Sequence, residues 1–231
     1  MFVRACFLLL LFCICAVGHT REQVLHQETL RFTSSLSDAS EVFADSKALL
    51  DKLCQKNGLI CKLTAYPPGR ALRMLQESES VGEMPRFEEF QQMAPTAIRV
   101  PTPLGQLSFS VLSHDKNLTV KSMSDLSKHK VFYVRGNAVI AAHKEMEHLI
   151  PVASEADCAF MVLRKHGDAC IMTKSLALKI MENSKLAPDS YLLQDLFFKP
   201  IYLYLSPRYK FLLEQFDQSI RQLRAEEKIA Q

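Results

Sequence analysis

No run of lysine or arginine gathers the charge of this chain. Its 28 Lys and Arg against 25 Asp and Glu leave a net charge of +3 across 231 residues. A nucleic-acid partner is met by a basic stripe on one face, so that class is set aside. Beyond residue 17 no segment approaches the roughly 20 apolar residues that a spanning helix needs. There is no C-x-x-C pair, and so no sequence signature for zinc. G-x-S-x-G, H-E-x-x-H, a P-loop and a Rossmann glycine fingerprint are all missing. The histidines are scattered, and none stands beside a cysteine or serine in a recognised motif. Catalysis and a cofactor are therefore not expected. His143 and Glu147 lie one helical turn apart, but with no third ligand near them no metal is expected.

What is present begins with the N-terminus. Arg4 is followed by the continuous apolar stretch Ala5 to Val17, and Ala16-Val17-Gly18 places small residues at the −3 and −1 positions of a cleavage site. Residues 1–18 read as a secretory signal peptide, too short to span a membrane. Phe12 precedes Cys13 and Ile14 precedes Cys15, which does not fit lipid anchoring. The expected location of the mature chain is outside the cytoplasm. Four cysteines follow the signal: Cys54, Cys61, Cys158 and Cys170. An even number in an oxidising compartment suggests disulfides, and four allow three connectivities. Cys54–Cys61 and Cys158–Cys170 are favoured, because each pair would tie a helix end to the next strand. Four buried free thiols are the alternative.

Strand and helix patterns alternate along the mature chain. Leu30–Leu36 reads as a strand and Ser40 to about Asn57 as a helix, stopped by Asn57-Gly58. Leu59–Ala65 is a second strand. Pro67-Pro68 suits the first turn of a helix, and Val81–Met84 is a third strand. A proline-broken extended passage covers 97–113. The pattern then restarts: a short helix at Ser122–Ser127, a strand at Lys130–Val134, a helix at Asn137–Glu147, and a strand at Leu149–Val152. Ser154 opens a further helix with Asp157 three residues on, a capping-box arrangement. A strand at Asp168–Thr173, a helix at Ser175–Glu182, an extended passage over 192–205 and a long last helix capped by Ser206-Pro207 complete the chain. Alternating strands and helices imply βαβ units and mainly parallel sheets. Two long passages let a chain leave one α/β domain, build a second and return. The expected division is therefore 19–111 with 197–231 as a first lobe and 112–196 as an inserted second lobe.

The segments GRALRMLQESESVGEMPR, KVFYVRGN and HGDACIMTKS, in that order after a signal, resemble the extracytoplasmic solute-binding proteins of ABC transporters, family 3, the amino-acid-binding type. The resemblance spans roughly 30 to 227. It implies a type II periplasmic-binding-protein-like fold: two α/β lobes, a two-strand hinge, and a small solute held in the cleft for a membrane permease or another envelope protein. A monomer and no nucleic acid are expected. Arg86 stands where the family's carboxylate-gripping arginine stands. Gly136 and Asn137 match the turn before a second-lobe helix, whose start offers N–H groups to an anion. Thr173 occupies the position of the family's ammonium-binding acid, so a standard α-amino acid fits poorly. Tyr66 and Arg135 are further cleft candidates, and Asp38 is an alternative ammonium partner. The loop Ser34 to Ala39 lacks the family's aromatic ring, and Ser78 and Val81 replace its usual glycine and aspartate. The competing reading of Arg86 is a solvated charge beside Glu88 and Glu89. Two other functions remain open: an envelope interaction or signalling protein that keeps the fold without the ligand site, and an enzyme on this fold.

Overall fold

The structure is a computed structural model and describes residues 28–229 apart from 136, 144 and 186. The signal segment and Gly136 lie outside the described residues. Nine strands form a continuous sheet in the order β2-β1-β3-β9-β5-β8-β6-β7, with the short β4 (Ile98–Arg99) paired to β9. The first half holds β1 (Leu30–Ser34), β2 (Cys61–Ala65) and β3 (Gly82–Arg86) in parallel. The second half holds β6 (Val131–Val134), β7 (Leu149–Val152) and β8 (Ala169–Thr173), also in parallel. Two long strands, β5 (Gly105–Ser113) and β9 (Leu192–Leu205), run antiparallel to each other and join the halves. β9 pairs with β3 and β4 at its C-terminal end and with β5 along the rest. This is a mixed α/β, two-lobe architecture with a two-strand connection.

Local sequence accounts for most elements. Helix α1 (Glu41–Lys56) starts at Ser40, whose hydroxyl accepts from the Phe43 N–H at 3.1 Å, the usual way of satisfying an orphan donor at a helix start. It ends where Gly58 takes φ +64° and Leu59 N–H returns to the Cys54 carbonyl, a turn that glycine enters without a Cβ penalty. Helix α2 (Pro68–Gln76) has Pro68 in its first turn, where a missing N–H is harmless. Helices α1 and α7 (Leu213–Ile229) cover one face of the first half-sheet around Phe32, Leu50, Leu53 and Phe216. On the opposite face Leu75 from α2, Phe90 from α3 (Phe90–Met93) and Tyr204 pack together. Tyr204 is fully buried, and its hydroxyl donates to the Glu88 carbonyl at 3.1 Å.

In the second half, α5 (Glu155–Leu163) and α6 (Lys174–Asn183) cover one sheet face around Phe132, Val162, Met172 and Met181. The other face packs on a 3-10 turn at Met123–Leu126 and on α4 (Ala138–Ala141). The disulfides are Cys54–Cys61 and Cys158–Cys170, the favoured connectivity. Each ties a helix to the strand after it.

Several boundaries differ from the sequence reading. The helix expected over Asn137–Glu147 is only the single turn of α4; Met146 turns inward and is buried among second-half core residues. Ser154 accepts from the Asp157 N–H at 3.1 Å, but the Asp157 carboxylate takes the Ser154 hydroxyl instead of its backbone N–H. The return half of a capping box forms at Asp125, which accepts from the Ser122 and Lys121 backbone N–H groups at 2.9 and 2.8 Å. Those two bonds, Lys121's foremost, hold the Asp125 carboxyl below its ordinary range. The last helix opens with a 3-10 stretch, Pro207–Leu212, and Ser206 makes no side-chain cap.

Gly82 marks the tightest approach in the first half. A Cβ there would lie 2.5 Å from the Tyr204 carbonyl oxygen and 3.2 Å from the Phe32 ring. The backbone oxygen belongs to the neighbouring strand and cannot swing aside. Gly82→Ala is therefore expected to cost about 1–3 kcal/mol through overpacking, read as a lower urea midpoint.

Candidate functional site

The two halves enclose a cavity of about 380 Å³ where β5 and β9 pass between them. The first half contributes the loop from β1 into α1, with Leu36 and Val42, and the end of β3, with Pro85 and Phe87. Leu107 and Phe109 of β5 and Ile201 of β9 form the floor. The second half contributes Asn137, and Thr173, Ser175 and Leu176 at the start of α6. The wall is thus mainly apolar, with uncharged polar groups mostly on the second-half side and Glu41, Glu155 and Lys179 as its ionisable groups. That composition is usual for a small-molecule site.

The aromatic floor follows from strand geometry. β5 and β9 pair in register at Phe109–Phe197, and the register then shifts so that Ser110 faces Asp195. Leu196 is the extra residue. The Phe109 and Phe197 rings stack with centroids 4.9 Å apart, and Phe87 leans on Phe109 at 6.0 Å. The same shift lets the Ser108 and Ser110 hydroxyls donate to Asp195 at 3.1 and 2.9 Å, beside Lys174 at 2.8 Å. The Lys174 ammonium, then the Ser110 hydroxyl, hold the Asp195 carboxyl below its ordinary range.

Helix α6 points its N-terminus at the cavity. Thr173 is its N-cap and makes no side-chain cap bond. The first N–H groups of any helix lack intrahelical partners and sit at the positive end of the dipole. Thr173 and Ser175 therefore place hydroxyls and helix N–H groups where a polar part of a ligand would sit. Asn137 accepts from the Ile140 N–H through Oδ1 at 3.4 Å, which leaves its amide nitrogen available to the cavity.

Arg86 is placed elsewhere. Its neighbours Pro85 and Phe87 line the cavity, and alternation along the strand turns Arg86 to the other face. There Nη2 donates to Oε1 of Glu83, and the guanidinium lies 4.4 Å over the Phe90 ring. Glu83 is fully buried, and 16% of the Arg86 side chain is exposed. In a regular strand residues three apart point to opposite faces. Here Glu83 pairs with Tyr204 and Arg86 with Tyr202, so three steps on β3 match two on β9. The bulge brings the two charges together, and Pro85, which has no N–H to donate, sits within it. Burial pushes the Glu83 carboxyl above its ordinary range, and the Arg86 charge and hydrogen bond pull back only part of that rise.

The other candidates divide. Asn137 and Thr173 stand in the cavity wall. Tyr66 is half-buried under the Arg70 guanidinium, 4.7 Å from its ring centre, and Arg135 is exposed in the turn after β6; neither lines the cavity. Asp38 is exposed and outside the wall. His143 Nδ1 lies 2.7 Å from Glu145.

Three ionisable wall residues carried no sequence signal: Glu41, Glu155 and Lys179. On a helix they read as ordinary surface charges. Lys179 of α6 reaches Glu41 of α1 at 2.6 Å, so this ion pair joins the two halves across the cavity rim. Both side chains are about half exposed, which keeps such a pair below about 1 kcal/mol.

With that geometry in place, the fold is that of the two-lobe periplasmic-binding proteins. Solved structures carry the likeness. Arginine-bound ArgBP of T. maritima, as a Gly52Ala mutant, matches with a TM-score of 0.61 and 13% identity, over 84% of this chain and 95% of that one. A structure from work on glutathione import through GshT and the cystine ABC importer TcyBC of Streptococcus mutans matches with a TM-score of 0.64 and 14% identity, over 87% and 91%. A histidine kinase sensor domain with similarity to periplasmic binding proteins matches with a TM-score of 0.65 and 12% identity, over 87% and 92%. No protein-family model and no curated protein sequence matches the chain.

Proposed function

We propose that this chain is an extracytoplasmic solute-binding protein that closes two lobes on a small molecule and presents it to a membrane permease of the ABC type. The lobes are taken as 19–111 with 197–231, and 112–196. The observation that carries the reading is the cavity itself, built from both lobes and from the two strands that join them. A ligand that touches both walls favours the closed arrangement, because only closure makes every contact. Two disulfides support a place outside the cytoplasm. ArgBP and GshT, named above, lend the reading a precedent on this fold.

The solute is small and has an apolar body, as the Phe87, Phe109, Leu107 and Leu176 surfaces ask. Its polar part meets Asn137, Thr173 and Ser175. A carboxylate gripped by Arg86 is not favoured, since Glu83 already holds that guanidinium on the far face of β3.

Thermal unfolding against a panel of small amines, amino acids, carboxylates and alcohols tests the reading. A ligand at 100 times its dissociation constant is expected to add about 2.7 kcal/mol, a rise of several degrees. A cooperatively folded protein that responds to nothing in the panel would replace this reading with an envelope protein acting through its surface.

A further inference from the structure

The ionisable groups around the cavity bear on what its solute carries, which rests on the solute-binding reading above. Of the ionisable side chains in the wall, Glu41 and Lys179 neutralise each other at 2.6 Å. Lys174, next to Thr173, is held by Asp195 at 2.8 Å. Arg86 belongs to Glu83. Arg135, in the turn after β6, forms no ion pair among the described residues. Glu155 is left. It is half-buried at the first turn of α5 and has neither an ion-pair partner nor a side-chain hydrogen bond among the described residues. The cavity wall therefore carries one carboxylate without an ion-pair partner, at the first turn of α5, within a largely apolar surface.

We propose that the cavity takes a primary amine on an apolar, ring-sized body, with the ammonium donating to the Glu155 carboxylate. The body lies against Phe87, Phe109, Leu107 and Leu176, and closure of the lobes removes the ion pair from water, where its attraction strengthens. A carboxylate on the same skeleton meets Glu155 as a like charge and finds no unpaired cation in the wall. An α-amino acid gains the ammonium contact, but its carboxylate must leave water as well, and the α6 N–H groups and the Thr173 and Ser175 hydroxyls receive it without a full counter-charge. The wall thus selects the amine over both.

The test is isothermal titration of the whole protein with four probes of one skeleton: phenethylamine, phenylacetate, phenylalanine and 2-phenylethanol. Phenethylamine is expected to bind at least about tenfold tighter than each of the others, the worth of a charge-assisted hydrogen bond. Glu155→Gln is expected to remove that advantage, to change 2-phenylethanol binding far less, and to leave an unliganded protein that still unfolds cooperatively. Equal or tighter binding of phenylacetate or phenylalanine would overturn the amine assignment, as would full affinity for phenethylamine in Glu155→Gln. Either result leaves the solute-binding reading standing, because a probe still binds. Binding of none of the four would remove the amine proposal, and the wider panel above then decides the solute-binding reading separately.

Discussion

Arg86→Ala is expected to destabilise the protein by about 3–5 kcal/mol, the cost of removing one partner from a buried ion pair. Glu83 is fully buried, so its carboxylate would be left without its counter-charge. The loss depends on pH, and the sign follows from Glu83. Its carboxyl is raised in the folded protein because burial outweighs Arg86. Folding therefore binds a proton between the unfolded and folded pKa values, and stability falls as pH rises through that window. Without Arg86 the pull downward is gone, so the folded pKa climbs further and the window widens. Each added unit is about 1.36 kcal/mol. Urea unfolding at pH 5 and pH 8 should show a larger loss at pH 8. Glu83→Gln added to Arg86→Ala should remove that pH dependence. A loss below about 1 kcal/mol, equal at both pH values, would mean that the pair is not buried and that Arg86 is an ordinary surface charge.

The second large effect separates the core of the first lobe from the cavity floor. Phe32 is fully buried and meets Phe216 edge to face at 5.8 Å. Phe32→Ala leaves a sealed void beneath α1 and α7, and should cost near the upper end of the range for such truncations, about 5 kcal/mol. Phe109 is just as buried, but one side of its ring borders the cavity. Truncation there enlarges a space that already exists, and the neighbouring Phe87 and Phe197 rings can move into it. Its cost should lie near the lower end, about 3 kcal/mol. Guanidinium unfolding of the two variants decides the matter. Equal costs would show that the space beside Phe109 is not a cavity in solution.

Arg86 shows why a binding site is harder to read than the fold around it. The alternation of strands and helices fixed the architecture because hydrophobic period is a local property, visible within ten or so residues. The helix starts at Ser40, Pro68 and Ser154 and the stop at Gly58 are local too. So is the extended run over 192–205, which is β9 to the residue. The direction in which Arg86 points is not local. It depends on a bulge against β9, a strand more than 110 residues away in sequence. Nothing near Arg86 in the chain announces that Glu83 would share its face, since residues three apart in a regular strand do not. Of the two candidates that stand in the cavity wall, Asn137 was legible as the start of a second-lobe helix and Thr173 only through the family resemblance. Glu41, Glu155 and Lys179 were not, because a single charge on a helix looks the same whether it faces water or a cleft.

The sequence by itself determined the alternating α/β pattern, the extended passages that join the two halves and the helix starts at Ser40, Pro68 and Ser154, and it favoured the pairing of Cys54 with Cys61 and Cys158 with Cys170 among three connectivities. Short-range periodicity and turn chemistry are sufficient for the helix starts and the alternation. Only the tertiary structure decided which charges are free. Charge pairing joins groups that the chain holds far apart, as Lys179 meets Glu41 across 138 residues. It is this pairing that engages Arg86 with Glu83 and Lys179 with Glu41, and leaves Glu155 in the cavity wall without an ion-pair partner among the described residues.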